Sequence, residues 1–341
     1  RYKMRTKKFF FAGKYYSTFR KSLGIISIAV LFLFFVSCDV VDNDKKQGPP
    51  IIDPPIYPCP IKDISISSNG NYLLYFKSKV TKVLRDGSFE YIIDSTGIWK
   101  LNLNNRSEVL LFKSNWDSSF PQFIPSTQSI LFNYLNHIVK MPFDYRLNDN
   151  NDLSFLTTIG SNFFPSINTD GNLIAYDSNV DSNNGMYFIW TMNVDGSNKK
   201  RITYEPQIGE IRMPSWFNSS NKIVHIRYVD DNDAQEIFIM SSTGNNSIRL
   251  TYNKKFDVLP RVNFTDEKIL FISDRKLYSI DTSGTHLKQL SDFEVQSACW
   301  SPQDDIYFIK YNANKYNGEN GTIWRMDENG QNLIQISNNW F

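Results

Sequence analysis

The chain has 341 residues, of which 41% are hydrophobic and 15% aromatic, so it is long enough and apolar enough to bury a substantial core. Its formal net charge of +2 comes from the N-terminus, because residues 1–37 contain eight Lys and Arg residues and neither Asp nor Glu. The remaining residues include 29 basic and 35 acidic ones, a net charge of −6. A mildly acidic domain lacks the basic surface of nucleic-acid-binding proteins, and we therefore expect no nucleic-acid partner.

Residues 1–37 predict a secretory leader. A basic stretch precedes the apolar run 23–36, "LGIISIAVLFLFFV", which is shorter than the roughly 20 residues that a membrane-spanning helix needs. The run leads into Phe35-Val36-Ser37-Cys38, which resembles a bacterial lipobox with Phe where Leu is usual. The resemblance implies a lipoprotein of the bacterial cell envelope, anchored through a lipid on Cys38 at the periplasmic face of a membrane, such as the outer membrane, or at the cell surface. An ordinary signal peptide and an uncleaved anchor are the alternatives.

Residues 38–60 predict an extended tether between the lipid and a folded domain. Asp39, Asp42 and Asp44 make its first part acidic, and six Pro residues fall between positions 49 and 60. Because Pro fixes φ and removes an N–H donor, this density excludes a helix or a central strand. We expect the folded domain to occupy residues 61–341.

A pair of phrases recurs six times over residues 61–337. The first phrase is a strand, a polar turn and a second strand, as in "PSINTDGNLIAY" (165–176) and "ACWSPQDDIYFIKY" (298–311). The second phrase is a strand, a turn and a strand, as in "FIWTMNVDGSNKKRIT" from Phe188. Four turns of the second phrase contain Gly, as expected where a short hairpin needs φ > 0: Gly196, Gly244, Gly284 and Gly330. The second repeat is the poorest copy, with Pro142 at a strand position.

Four strands per repeat, at a period of about 40 to 55 residues, predict an all-β, six-bladed β-propeller of four-stranded antiparallel blades. One such sheet cannot bury both faces alone, whereas radially packed sheets cover one another and leave no long exposed edge. We expect the residue before each first turn, most clearly Trp216 and Trp300, to pack between blades. A linear β-solenoid and a pair of β-sandwiches are the alternative folds.

The paired phrases resemble the repeat of TolB-type six-bladed propellers. The matching segments are Asp257-Val258-Leu259-Pro260, Trp300-Ser301-Pro302, Met192-Asn193-Val194-Asp195-Gly196, Arg201-Ile202-Thr203 and Arg249-Leu250-Thr251. The resemblance covers residues 61–337 and implies the propeller fold, which serves in such proteins as a scaffold, a peptide-binding domain or a lyase. TolB itself carries a further N-terminal domain, for which residues 39–60 are too short. We therefore expect a TolB-like propeller that is not TolB itself.

The sequence predicts no catalytic residue, cofactor or metal site. His137, His225 and His286 fall at different points of the repeat, unlike the clustered His ligands of propeller lyases. The chain has neither a Gly-x-Ser-x-Gly elbow, nor a Gly-rich phosphate loop, nor a Cys-x-x-Cys pair. We therefore expect a non-enzymatic, lipid-anchored propeller that binds a protein or peptide partner at the channel mouth or rim. The alternatives are a carbohydrate-active enzyme, either a polysaccharide lyase or a glycan hydrolase, and a glycan-binding lipoprotein.

Charged residues just before or within the first strand of several repeats define a candidate binding site. They are the acids Asp117, Glu210, Asp257 and Glu294, together with the nearby Arg212 and Arg261. Equivalent positions in a propeller share one mouth of the channel, where loops from every blade meet on a rigid scaffold. We predict that these residues either form a partial ring that binds a cation or a basic peptide, or fix the turns that enter the innermost strands.

Two of the three Cys residues, Cys59 and Cys299, remain if Cys38 is lipidated. Disulfides are permitted outside the cytoplasm, and the first and sixth repeats become neighbours when the ring closes. A bridge between Cys59, which precedes the first repeat, and Cys299, in the sixth, is therefore predicted to staple the ring. Cys59 lies several residues before the level of Cys299, and two free thiols are the alternative.

Overall fold

The computed structural model describes residues 61–85, 88–114, 118–125, 127–143, 153–182, 184–204, 209–229, 234–311 and 321–337. The predicted leader and tether, with Cys38 and Cys59, lie outside these ranges. Within them, none of the elements is a helix long and apolar enough to cross a membrane.

Twenty-four strands form six four-stranded antiparallel sheets, each built from four consecutive strands, here called blades 1 to 6. Blade 1 contains β1 (Ile61–Ile66), β2 (Tyr72–Arg85), β3 (Ser88–Asn102) and β4 (Glu108–Lys113), and blade 2 contains β5 (Ser118–Ile124), β6 (Ser129–Tyr134), β7 (His137–Pro142) and β8 (Ser154–Phe155). Blade 3 contains β9 (Asn162–Ile167), β10 (Leu173–Ser178), β11 (Phe188–Asn193) and β12 (Lys200–Arg201), and blade 4 contains β13 (Ile211–Trp216), β14 (Lys222–Tyr228), β15 (Gln235–Ser241) and β16 (Ile248–Arg249). Blade 5 contains β17 (Asp257–Val262), β18 (Lys268–Ser273), β19 (Lys276–Asp281) and β20 (Lys288–Gln289), and blade 6 contains β21 (Val295–Trp300), β22 (Ile306–Tyr311), β23 (Gly321–Met326) and β24 (Ile334–Gln335). The predicted six-bladed propeller is therefore confirmed.

The first strands of successive blades pack against one another around the ring, and β1 also packs against β21. Blade 1 and blade 6 share a buried apolar cluster that includes Ile64, Leu73, Cys299 and Ile309. The Ile64 N–H also donates to the Ser297 hydroxyl at 3.2 Å. Since each sheet is formed by consecutive strands, the ring closes by packing between blades rather than by exchange of a strand.

The two Trp residues singled out in the sequence lie between blades, as predicted. The Trp216 indole N–H donates to the carbonyl of Ser166 in blade 3 at 3.1 Å. The Trp300 indole N–H donates to the carbonyl of Arg261 in blade 5 at 3.2 Å. Both rings are buried, so each couples its own blade to the preceding one by apolar contact and a hydrogen bond.

A bulge interrupts the innermost strand of each blade, as register shifts against the second strand show. In four successive blades the bulged residue has a positive φ of 50° to 55° and precedes Pro: Phe120, Phe164, Met213 and Leu259. The rings of Phe120 and Phe164 lie 4.1 Å apart between centroids, and all four side chains belong to or pack against one buried cluster. Repeat-equivalent apolar side chains therefore pack together around the axis at this level.

Candidate functional site

The antiparallel blades give the propeller two faces with different loops. We define the entry face as the one on which the first strand of each blade begins. Because consecutive strands alternate in direction, the connections between second and third strands and those between blades lie on this face. The connections between first and second strands, and between third and fourth strands, lie on the opposite or exit face.

Connection length varies far more on the entry face than among the innermost turns of the exit face. All first-to-second connections on the exit face have four or five residues: 67–71, 125–128, 168–172, 217–221, 263–267 and 301–305. The second-to-third connections on the entry face range from two residues at 135–136 and 274–275 to nine at 179–187 and 312–320. The third-to-fourth connections on the exit face also vary, from five residues at 103–107 to eleven at 143–153. Binding residues concentrate on loops carried by a rigid scaffold, and the feature that marks the entry face as the candidate binding face is the long hairpin of blade 1.

The β2–β3 hairpin is the largest departure from the repeat. These strands have 14 and 15 residues, whereas every other second or third strand has six or seven. Their pairing continues to Arg85 and Ser88, but β1 pairs with β2 only as far as Lys77, and β4 pairs with β3 only as far as Gly97. Beyond these positions, and among the residues that the structure describes, the hairpin is a two-stranded ribbon that extends roughly 25 Å past the blade on the entry face.

Arg212 is the centre of a buried ionic cluster between blades 3 and 4. Its Nε lies 2.9 Å from Asp177 Oδ2, and its Nη1 lies 3.4 Å from Glu210 Oε2. The guanidinium carbon lies 4.0 Å from the centroid of the Tyr187 ring, within the range of a cation–π contact. Three charged side chains, each no more than 3% exposed, therefore share one interblade site at the entry end of the inner strands.

Burial and charge oppose each other in this cluster. Burial raises the pKa of the Asp177 carboxyl, and the nearby Arg212 counteracts this rise. Burial also acts to lower the pKa of Arg212, but the two carboxylates hold it above its ordinary value, so the guanidinium stays charged. Among the described residues, Asp177 Oδ1 and Arg212 Nη2 have no hydrogen-bond partner.

Asp257 is fully buried at the start of β17 and is bound by its own connection. Both of its carboxylate oxygens accept from Asn253 Nδ2 at 3.0 Å, and burial raises its pKa. The nearby Glu236 accepts from the Lys254 N–H at 2.6 Å and forms an ion pair with Arg249 at 3.1 Å. These two carboxylates hydrogen-bond the connection that leads into the innermost strand. Which of the two predicted roles Asp257 serves stays a prediction.

The other predicted site residues lie apart from these two groups. Glu294 is partly exposed and pairs with Arg275 at 3.3 Å. Arg261 is the fifth residue of its inner strand, whereas Arg212 is the second, and its Nη1 donates to the carbonyl of Pro260 at 3.0 Å. Asp117 lies outside the described residues. The structure thus brings together Glu210 and Arg212, and the binding role of the set remains a prediction.

The three His residues are well separated along the fold. His137 begins β7, His225 is buried in β14, and His286 lies 2.6 Å from Asp281 in an exposed turn. Burial lowers the pKa of His225 to about 4. In the part of the chain that the structure describes, no three His, Cys, Asp or Glu side chains converge as a metal site.

Cys299 is buried in the cluster shared by blades 6 and 1 and has no disulfide partner among the described residues. Burial raises its pKa to about 12, so it is a poor nucleophile in the folded protein. Its predicted partner Cys59 lies outside the described residues, and the disulfide therefore remains a prediction.

Sequence reasoning missed two features of this face. Asp177 is the single acid in the strand "LIAYDS", and an acid at a position where a buried strand is otherwise apolar was the available signal. The long hairpin was signalled by Asp86-Gly87 between alternating residues, a typical two-residue turn sequence.

Comparisons with known proteins support the fold rather than a particular activity. No family model and no curated protein matches the sequence. Among solved structures, a putative TolB from Agrobacterium tumefaciens is 16% identical with a TM-score of 0.58, and the match covers 70% of this chain and 86% of that one. TolB from Acinetobacter baumannii is 13% identical with a TM-score of 0.59, covering 79% of this chain and 64% of that one. A chain of a nidogen/laminin complex is 10% identical with a TM-score of 0.54, covering 75% of this chain and 89% of that one.

These identities are low, so what is shared with the solved structures is their architecture. The six blades, their four antiparallel strands and the order of the repeat phrases all agree with the TolB-type repeat. The chain therefore has the fold of a TolB-like six-bladed β-propeller.

Proposed function

We propose that this protein is a non-enzymatic, lipid-anchored propeller of the bacterial cell envelope that binds a protein or peptide partner at the entry face. The observation that carries the proposal is the β2–β3 hairpin, which extends past its blade on the entry face. A regular propeller has no structural need for such an extension. We infer that the extension is retained for recognition.

The free part of the hairpin favours a protein partner. Two-stranded ribbons are marginally stable in water on their own, so a ribbon beyond its blade gains stability from a surface that covers it. The backbone register pairs Val80 with Ile93, Lys82 with Tyr91 and Leu84 with Phe89, and five of these six residues are apolar or aromatic. The edges of the ribbon also carry backbone groups that an added strand of a partner can pair.

The anchor is proposed from the sequence. The lipobox-like Cys38 and the Pro-rich residues 39–60 would connect a membrane lipid to the propeller through an extended tether. A clickable fatty acid added to growing cells is expected to label the wild-type chain and to leave a Cys38→Ser variant unlabelled. Equal labelling of both would contradict lipidation at Cys38.

Partner binding is tested by shortening the hairpin. Replacing residues 79–95 by Asn-Gly keeps Ser78 paired with Thr96 and removes the free ribbon. A matched control shortens 144–152 on the exit face to a Gly-Ser linker. Cross-linking in intact cells is expected to give a partner complex with the wild type and the control, and to lose it with the shortened hairpin.

Both shortened variants must unfold at the wild-type temperature for the comparison to count. If the shortened hairpin yields the same complex as the wild type, the entry-face hairpin is not the binding element. If only the exit-face variant loses the complex, the partner binds the opposite face.

A further inference from the structure

The connection from blade 4 to blade 5 displays four side chains to solvent. This segment, residues 252–256, is here called the Tyr252 loop, and it crosses the entry face from the outermost strand β16 to the innermost strand β17. Tyr252 is 71% exposed and Phe256 is 40% exposed, with Lys254 and Lys255 exposed between them. Two aromatic rings and the Lys254 ammonium group thus project from one short segment, and the Lys255 ammonium forms a half-exposed ion pair with Asp274 at 3.0 Å.

The backbone of the Tyr252 loop is held in place by hydrogen bonds to β15 of blade 4 and to the Asn253 side chain. The Lys254 N–H donates to the buried Glu236, and the Lys255 carbonyl accepts from the Gln235 N–H at 2.8 Å. The Asn253 side chain accepts from the Lys255 N–H at 2.8 Å and donates to the buried Asp257. The exposed side chains are therefore presented by a loop whose backbone conformation is already fixed, which lowers the entropy cost of binding.

The Tyr252 ring is held by contacts with Arg249, and this arrangement of an exposed Tyr against an Arg three residues earlier is here called the clamp. Its hydroxyl donates to the Arg249 carbonyl at 3.3 Å, and the Arg249 guanidinium lies 4.5 Å from the ring centroid. Arg249 is in turn fixed by the Thr251 carbonyl at 2.7 Å and by Glu236 at 3.1 Å. The guanidinium lies over the ring, and 71% of the Tyr252 residue is still exposed to solvent.

Blade 3 repeats the same clamp. Tyr204 is 69% exposed, its hydroxyl donates to the Arg201 carbonyl at 3.2 Å, and the Arg201 Nε donates to the Thr203 carbonyl at 2.7 Å. Here the guanidinium rests on the Phe188 ring at 3.7 Å instead of on a carboxylate. The contact with the carbonyl two residues later belongs to the repeat, because Gln289 and Gln335 donate in the same way at 2.7 Å in blades 5 and 6. Blades 3 and 4 differ in adding an exposed Tyr whose hydroxyl donates to the Arg carbonyl.

In blade 5 the equivalent residues are different. Gln289 stands where blades 3 and 4 have Arg, and Asp292 stands where they have Tyr. The clamped tyrosines are therefore a local feature of two adjacent blades and not a requirement of the repeat. Lys200 next to Arg201 and Lys254 near Arg249 make the same region basic, although residues 38–341 as a whole have 29 basic and 35 acidic residues.

We propose that the clamped tyrosines of blades 3 and 4 and the lysines of the Tyr252 loop bind an acidic polysaccharide. An exposed ring matches the flat apolar face of a pyranose, and the ammonium group of Lys254 matches a carboxylate of the glycan. The ammonium group of Lys255 would exchange its surface ion pair with Asp274 for a second glycan carboxylate. Protein hot spots instead place aromatic side chains in closely packed pockets. This site is separate from the hairpin and does not depend on the partner proposed above.

Affinity electrophoresis of the purified full chain through gels containing polygalacturonate, alginate or neutral dextran tests the proposal. We expect retardation by one of the acidic glycans and none by dextran. Tyr252→Ala and the double variant Lys254→Gln/Lys255→Gln are each expected to weaken retardation at least tenfold, and Tyr252→Phe to retain much of it. The control pair Lys222→Gln/Lys288→Gln, on exposed lysines elsewhere, is expected to bind like the wild type.

Three results would overturn the proposal. The first is the absence of retardation by either acidic glycan. The second is an equal loss in the control pair, which would reduce the effect to nonspecific charge. The third is equal binding of poly-glutamate, or of vesicles containing phosphatidylglycerol, that is independent of Tyr252, because the ligand would then be an acidic peptide or a lipid surface. Each variant is checked first for wild-type thermal unfolding.

Discussion

Two equivalent turn glycines allow the contact between blades to be measured separately from backbone strain. Gly244 and Gly284 occupy the same position in the turns after β15 and β19, with φ of 86° and 85°. A Cβ at Gly244 would lie 1.8 Å from the Ile202 carbonyl oxygen of the preceding blade, whereas at Gly284 the nearest atom is Leu250 Cδ2 at 3.4 Å. The two Ala variants therefore share the strain and differ in the clash.

The structure gives the expected magnitudes. A left-handed φ costs an L-residue about 1–2 kcal/mol, which both variants bear. The clash at Gly244 involves backbone, and Ile202 is buried and donates its N–H to the Ile189 carbonyl at 2.9 Å, so it has little freedom to move. Forced overpacking adds about 1–3 kcal/mol. We expect Gly284→Ala to lose about 1–2 kcal/mol and Gly244→Ala about 2–5 kcal/mol.

Urea unfolding followed by near-ultraviolet circular dichroism measures both losses. With about 2–4 °C per kcal/mol for a large domain, thermal unfolding of Gly244→Ala is expected several degrees below that of Gly284→Ala. Equal losses in the two variants would refute the reasoning. They would mean that blade 3 yields without cost, or that strain alone sets the requirement for Gly at this position.

Three further predictions concern buried groups. Because the pKa of His225 falls from 6.5 to about 4 on folding, the unfolded chain takes up the proton first, and stability is full above pH 6.5 and falls as pH drops toward 4. Between these pH values the free energy of unfolding of the wild type, measured with urea, is expected to fall by on the order of 3 kcal/mol. His225→Phe, which preserves stacking on Phe238, is expected to lack this fall. Parallel plots of unfolding free energy against pH for the two proteins would contradict this. Arg212→Met leaves two buried carboxylates without their cation and is expected to lower the free energy of unfolding by about 3–5 kcal/mol. Adding Asp177→Asn to this variant is expected to restore part of the loss. A single Arg212→Met variant as stable as the wild type would contradict the ionic cluster. Cys299 is expected not to react with an alkylating thiol reagent in the folded protein. After unfolding without reductant, mass mapping shows either an alkylated Cys299, which rules out the predicted disulfide, or a peptide bridged to Cys59, which establishes it.

The repeat made the fold predictable because each blade obeys the same local rules. Polar turns between apolar strands gave the number of blades, and Gly at the second turn was predicted from its need for φ > 0. The second reason for Gly244 is the approach of the Ile202 carbonyl from another blade, about 40 residues earlier in the chain. Such a contact depends on how two blades are packed, and a local turn pattern holds no information about that.

The candidate site was less predictable for the same physical reason. Burial distinguishes Asp257, which fixes a connection, from the partly exposed Glu294, although both precede or begin an inner strand. Tyr252 and Tyr176 are both tyrosines of the repeat, yet one is 71% exposed and the other is 2% exposed. In a chain with 18 Tyr residues, sequence alone does not separate a displayed ring from a core ring.

The two faces of the propeller differ in how tightly neighbouring blades constrain their turns. On the exit face, turns of neighbouring blades bind one another: Asp266 of blade 5 accepts from the Asn218 and Ser219 N–H groups of blade 4 at 2.6 and 2.8 Å. A lengthened turn there would break these bonds, so the exit-face inner turns are held at four or five residues. In blade 1 the entry-face connection between the second and third strands lacks that constraint in the described part of the chain, where pairing with β1 ends at Lys77 and the hairpin continues to Arg85 and Ser88. Variation in such a ring accumulates where it costs least stability, and a binding surface that arises there can change without loss of the fold.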